Sequence, residues 1–303
     1  MALTYFASRI GRRSVVTGLA GWGVLASSCA PVDALNVTIP QSGLTIVRDI
    51  PYVSGPLAGD PRLMLDVYRP DAPPGPLPVV VFIYGGAWRH GSKGDYLFAA
   101  AALARAGNLV IVPDYRVFPQ VRYPDFLADC AHAVAYAQRV CPTWGGDPDR
   151  VFVVGHSAGA YNVAMVALDP RLLAAAGGSR DRVDGFVGLA GPYDFAPIQD
   201  KDARQVFGAT ADDPNGQPIS YADGTNRPML LLAGADDETV MPRNTTALAA
   251  AIQARGGPVM SKIYRGVGHV GLVLALTPGF RGRAPVLADI EAFIATTPPL
   301  PSA

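Results

Sequence analysis

Five short, almost uninterrupted apolar runs constrain this chain more than any other feature: LPVVVFIYG (77–85), NLVIVPDY (108–115), RVFVVG (150–155), VDGFVGLAG (183–191) and PMLLLAG (228–234). Runs of this length without polar alternation fit strands buried on both faces, the condition of a parallel sheet covered by helices. Between them lie stretches with helical patterning. They are an alanine-rich segment near 95–106 closed by Gly107, the segment 124–140, the residues after Ser157, and segments near 243–255 and 284–296. A sixth strand-like run, VMSKIYRG, precedes the last helix, and TIVRDIPYV with LMLDVYRP reads as an opening antiparallel pair. Strand alternating with helix predicts an α/β fold with a mostly parallel, twisted sheet and helices on both faces.

The stretch 195–227 breaks this rhythm. It is polar and rich in glycine, proline and aspartate (DKDAR, TADDPNGQ, YADGTN), with no long amphipathic helix. It reads as a short cap over the carboxyl edge of the sheet, within a single domain spanning about 40–300. Half of the 303 residues are hydrophobic, ample for one large core. Lysine plus arginine and aspartate plus glutamate number 25 each, and no basic stripe appears, which argues against nucleic acid as a partner.

Residues 1–34 differ in kind. Arg9, Arg12 and Arg13 precede an apolar stretch from Val15 to about Ala26 that ends in small residues, ASSCA. This is the layout of an export signal, too short for a membrane span. GRRSVV also resembles a twin-arginine export signature. Cys29 stands where a bacterial lipoprotein carries its lipidated cysteine, and cleavage after Ala34 is the competing reading. The expectation is an exported protein, periplasmic or held at the membrane only through a lipid on Cys29. Cys130 and Cys141 fall on one predicted helix, DFLADCAHAVAYAQRVC, about 16 Å apart, beyond disulfide reach. They are expected to be buried thiols.

Within this frame FVVGHSAGAY places Ser157 between two glycines, where a buried strand turns into a helix. That G-x-S-x-G context lifts a serine hydroxyl above the sheet and aims the next backbone N–H at a developing oxyanion. Serine needs a base, and the base an orienting acid. Of the four histidines, His132 lies within a predicted helix, His156 adjoins the serine and so points elsewhere, and His90 follows the third strand. His269 follows the last strand and is the best base. For the acid, GADDETV offers Asp237, third after the glycine, with Asp236 as alternate, while Asp194 reads as a turn cap. The order Ser157, Asp237, His269 is that of α/β-hydrolases. Tyr84-Gly85-Gly86-Ala87-Trp88 resembles the HGGG-type loop that supplies oxyanion donors, with Tyr84 in place of histidine. The expected oxyanion hole is the N–H groups of Gly86, Ala87 and Ala158, with Trp88 and Tyr84 against the substrate.

Taken together, YGGAW, DYRVFPQ, GGDPDRV, GHSAGA, GPYD and GADDETV resemble the esterase/lipase branch of the α/β-hydrolases over residues 60–295. Within it they are similar to the bacterial feruloyl-esterase-like group and the prenylcysteine methylesterases. The resemblance implies hydrolysis of small carboxylic esters through an acyl-enzyme, without a cofactor or metal. Neighbouring formamidases keep the same three residues, so an arylformamidase is the alternative enzyme. A non-catalytic binding protein on the same fold is the alternative of another class. Gly266-Val267-Gly268-His269-Val270-Gly271 also spells G-x-G-x-x-G, but too few residues follow it to build a dinucleotide-binding unit.

Overall fold

The computed structural model describes residues 35–299, so the segment expected to be an export signal, with Cys29, lies outside the described residues. Eight strands form one sheet: β1 (Leu44–Pro51), β2 (Met64–Pro70), β3 (Leu77–Ile83), β4 (Leu109–Pro113), β5 (Gly146–His156), β6 (Gly185–Leu189), β7 (Met229–Gly234) and β8 (Val259–Tyr264). Their order is β1-β2-β4-β3-β5-β6-β7-β8. β1 pairs antiparallel with β2, as the opening pair predicts; β2 also pairs antiparallel with β4, and every other pairing is parallel. The five uninterrupted apolar runs are the five central strands. Val79, Val80, Val81, Ile111, Val153, Val154, Val187 and Leu231 are all buried, which is why those runs carry no polar alternation.

Eight helices cover the sheet among the described residues: α1 (Leu97–Arg105), α2 (Asp125–Val140), α3 (Ala158–Leu168), α4 (Pro170–Ala175), α5 (Lys201–Phe207), α6 (Arg243–Ala254), α7 (His269–Leu274) and α8 (Val286–Thr296). α1 stops at Gly107, whose φ of +102° suits glycine alone. α3 has no exposed face: all eleven of its residues are buried. It follows β5 directly, and Gly155 and Gly159 permit the approach. A Cβ on Gly159 would sit 2.1 Å from the Ile83 carbonyl oxygen, and one on Gly155 would sit 2.5 Å from that of Gly159. Cys130 lies in α2 and Cys141 caps its end; both are buried and free, and Cys130 Sγ accepts from Asn162 of α3.

After β3 the chain passes to β4 on one side, and it returns to β5 on the other. The carboxyl ends of β3 and β5 therefore flank the point where the winding reverses, the usual place for a site in an open α/β sheet. The predicted cap lies beside it and holds one element that its polar sequence hides, α5. Its Val206 and Phe207 are buried, while Lys201, Asp202, Arg204 and Gln205 face outward. Arg89, in the loop after β3, bonds Gln205 Oε1 (3.2 Å) and sits 3.6 Å from Asp202, tying the cap to that loop.

Candidate active site

Ser157 is the single residue between β5 and α3, with φ +55° and ψ −122°. A non-glycine residue rarely adopts this backbone, and it persists only where its surroundings hold it. Here Ser157 N–H donates to the Leu189 carbonyl of β6 (2.8 Å), and Tyr161 N–H of α3 donates to the Ser157 carbonyl (3.1 Å). The side chain is thereby lifted off the sheet edge toward the loops that follow β3, β7 and β8.

His269 arrives from the loop after β8 as the first residue of α7, a one-and-a-half-turn helix that the sequence reading leaves as loop. Its Nε2 lies 2.9 Å from Ser157 Oγ, and its Nδ1 lies 2.8 Å from Asp237 Oδ2. Asp237 follows β7, and its carboxylate is buried. Its second oxygen accepts from the N–H groups of Thr239 (3.0 Å) and Val240 (2.8 Å). Serine, imidazole and carboxylate thus form one continuous chain from three strand ends. The remaining candidates stand apart from it. Asp236 and His90 are exposed, and His132 lies mid-way along α2 with its Nδ1 bonded to the Ala128 carbonyl one turn earlier. Asp194 is half-buried, with its backbone N–H bonded to Asn244.

The loop after β3 presses against this chain. A Cβ on Gly85 would lie 2.8 Å from Ser157 Cβ, and one on Gly86 (φ +145°) would lie 2.1 Å from the His90 carbonyl oxygen. Only glycine fits either place. The Gly86 carbonyl accepts from the N–H groups of Arg89 and His90, closing a tight turn. In that turn Ala87 and Trp88 both have positive φ, +52° and +57°. Within the described residues the N–H groups of Gly86 and Ala87 have no protein acceptor. Ala158 N–H is one of the orphan donors at the start of α3. Gly86 and Ala87 lie in the segment after β3, and Ala158 is the residue after Ser157.

Two expectations need correction. Tyr84 does not reach the cleft. It is fully buried beneath the loop, stacked on Tyr115 at 4.6 Å, and its hydroxyl accepts from Tyr115 N–H (3.4 Å) and meets Asp114. Trp88 is also buried, its Nε1 donating to Asn162 Oδ1 (3.0 Å) while its ring packs among Phe126, Tyr161, Phe195 and Phe207. Both aromatics hold the loop in place, because phenol and indole polar atoms find protein partners inside the core.

Sequence reasoning also misses Tyr96 and the engagement of His156. The His156 ring is buried, its Nδ1 is 3.0 Å from the Tyr96 hydroxyl, and its ring centroid is 5.0 Å from that of His269. Burial, and secondarily the neighbouring His269, pushes the His156 pKa well below the ordinary histidine value. Only the position of His156 at the end of an apolar strand hints at this.

Isoprenylcysteine alpha-carbonyl methylesterase of Arabidopsis thaliana is 27% identical over 235 residues, 71% of this chain and 55% of its own. Esterase LipC of Mycobacterium tuberculosis is 39% identical over 142 residues, 45% of this chain and 35% of its own. The chain spans about half the length of the curated relatives it matches. Among solved structures, esterase B of Lactobacillus rhamnosis bearing a C4-C4 tributyrin phosphonate superposes with a TM-score of 0.74 at 20% identity. That match covers 88% of this chain and 91% of that one. The esterase of Pyrobaculum calidifontis does so with a TM-score of 0.71 at 23% identity, covering 88% and 89%. These likenesses establish the α/β-hydrolase fold. The BD-FAE family model matches residues 65–252, more than half of the chain and both the serine and the aspartate of the site, so the chain belongs to the BD-FAE family.

Proposed function

We propose that the protein is a serine carboxylesterase that hydrolyses small carboxylic esters through an acyl-enzyme on Ser157. The observation that carries this reading is the unbroken chain Ser157 Oγ–His269–Asp237, at 2.9 and 2.8 Å, set beside unbonded backbone N–H groups. In the forward step Ser157 Oγ attacks the ester carbonyl while His269 Nε2 takes its proton. Charge developing on the carbonyl oxygen meets the N–H groups of Gly86, Ala87 and Ala158, and Asp237 holds the imidazole in the tautomer with hydrogen on Nδ1. His269 then protonates the departing alcohol. Water, deprotonated by the same nitrogen, releases the acid. The relatives named as esterase and methylesterase support the same chemistry.

The test is turnover of p-nitrophenyl acetate, a methyl ester and an N-formyl aromatic amine by the protein and by Ser157→Ala, with fluorophosphonate labelling. Labelling and ester turnover that both vanish in Ser157→Ala are expected. Turnover of the formyl amine alone would replace the ester reading, and absence of labelling in the parent protein would overturn the enzyme reading altogether. We further propose that residues 1–34 direct export, ahead of a single catalytic domain over about 40–300. The arginine pair before a short apolar run supports this reading.

A further inference from the structure

Behind the serine a second hydrogen-bonded chain runs through groups to which the reaction scheme gives no part. Gly85 N–H donates to the Tyr96 hydroxyl oxygen at 3.2 Å. That hydroxyl lies 3.0 Å from His156 Nδ1, and His156 Nε2 lies 3.4 Å from the backbone carbonyl of His269, a long bond. One proton arrangement satisfies every member. The Tyr96 oxygen accepts from Gly85, so its single proton goes to His156 Nδ1. The imidazole hydrogen is then on Nε2, facing the His269 carbonyl. A second proton on His156 would set Nδ1–H against the Tyr96 hydroxyl, and would place a cation 5.0 Å from the His269 ring. Burial, which pushes the His156 pKa well down, keeps the ring neutral as this arrangement requires.

The three anchor points are not arbitrary. Gly85 precedes Gly86, the first oxyanion donor. His156 is the last residue of β5, immediately before Ser157. The His269 carbonyl belongs to the residue that carries the base. We propose that His156 is a positioning residue which, with Tyr96 as its bridge, fixes the spacing among the oxyanion loop, the serine and the His269 segment. The inference rests on the acyl-enzyme reading of the site. His156 touches no reacting atom in this role. It limits the relative drift of three loops from separate strand ends, where a misplacement of about 1 Å costs on the order of 10²-fold in rate. Its neighbour Tyr96 is itself held, stacked 5.9 Å from Tyr84 and 5.6 Å from Phe98 and following the Ser92–Asp95 capping box.

The experiment compares Tyr96→Phe, His156→Leu, His156→Asn and the double variant Tyr96→Phe/His156→Leu on p-nitrophenyl acetate. It is run at a temperature where circular dichroism shows each folded. Asparagine places Oδ1 near the position of Nδ1 and so keeps an acceptor for Tyr96. Tyr96→Phe and His156→Leu are each expected to lower kcat about 10- to 100-fold, below the ~10²–10³ cost of a lost oxyanion donor, with KM changed less than about threefold. His156→Asn should recover much of the His156→Leu loss, and the double variant should be no slower than the slower single one. An unchanged kcat in Tyr96→Phe, a rise confined to KM, or losses that multiply in the double variant would each overturn the proposal. If His156→Leu does not fold, Tyr96→Phe decides alone. Ser157→Ala, run alongside, separates the two readings: full turnover there defeats the acyl-enzyme mechanism itself, whatever the other variants do.

Discussion

Asp236 and Asp237 are adjacent in sequence and opposite in environment. Asp237 is buried against His269 and two backbone N–H groups, while Asp236 is exposed with its main chain bonded to Val267. Asp237→Asn should therefore lower kcat by roughly 10⁴-fold, because an amide facing Nδ1 no longer enforces the working tautomer. Asp236→Asn should change it less than about twofold. Steady-state kinetics on p-nitrophenyl acetate check the pair, and a larger loss at Asp236 would reverse the assignment. A different carboxylate makes its own contribution to pH-dependent stability. Glu291, half-buried in α8 beside Asn108, has its pKa raised by burial from 4.5 to about 7. The folded state thus holds the Glu291 proton more tightly than the unfolded chain does. The stability this gives is full below pH 4.5, falls as pH rises, and is gone above about pH 7. Glu291→Gln should match the parent near pH 4 and exceed it at pH 8 by about 1–2 kcal/mol after solvent screening, or roughly 2–4 °C in Tm. Thermal melts across that range, flat in their difference, would refute the assignment.

The cap acts through an element too short to announce itself. α5 buries Val206 and turns Phe207 onto Trp88, Tyr161 and Phe195, and leaves charged side chains outside. Its apolar atoms are spent on the core, so an extended acyl chain meets polar surface, at about 0.8 kcal/mol forgone per methylene left in water. kcat/KM across p-nitrophenyl esters should peak at two to four carbons and fall steeply by eight, and a maximum at ten or more would contradict this role for the cap. The same shortness explains what the sequence withholds. α4, α5 and α7 have six, seven and six residues, less than the repeat needed to show helical periodicity. The sheet was legible because five double-buried strands are written as uninterrupted apolar runs. Ser157 and Asp237 were legible because each sits just past such a run, and His269 because it follows the last strand, β8, whose residues are mostly exposed. Tyr84 and Trp88 were misread because the motif places them in the right loop and gives no sign of which way a ring turns. Tyr96 and His156 stand 60 residues apart, and only the folded sheet brings them together.

At the scale of the whole molecule, one sheet places Ser157, Asp237 and His269 beyond its carboxyl edge, and the proposed export role of residues 1–34 has a test of its own. Arg12→Lys together with Arg13→Lys should leave precursor in the cytoplasm on fractionation. Labelled palmitate lost in Cys29→Ala would mark the lipid-bearing form, whereas unlipidated protein beginning at Leu35 would exclude it. The turn at Ser157 has a consequence for lifetime as well. A φ of +55° on a serine costs the folded state about 1–3 kcal/mol, more than the added chain freedom of a glycine costs. Ser157→Gly should therefore melt a few degrees above the parent while hydrolysing nothing, and a lower Tm would show the turn to be relaxed. Random mutagenesis screened for heat resistance alone would then erode this serine first. The active lineage survives only where selection keeps asking for esters to be cut.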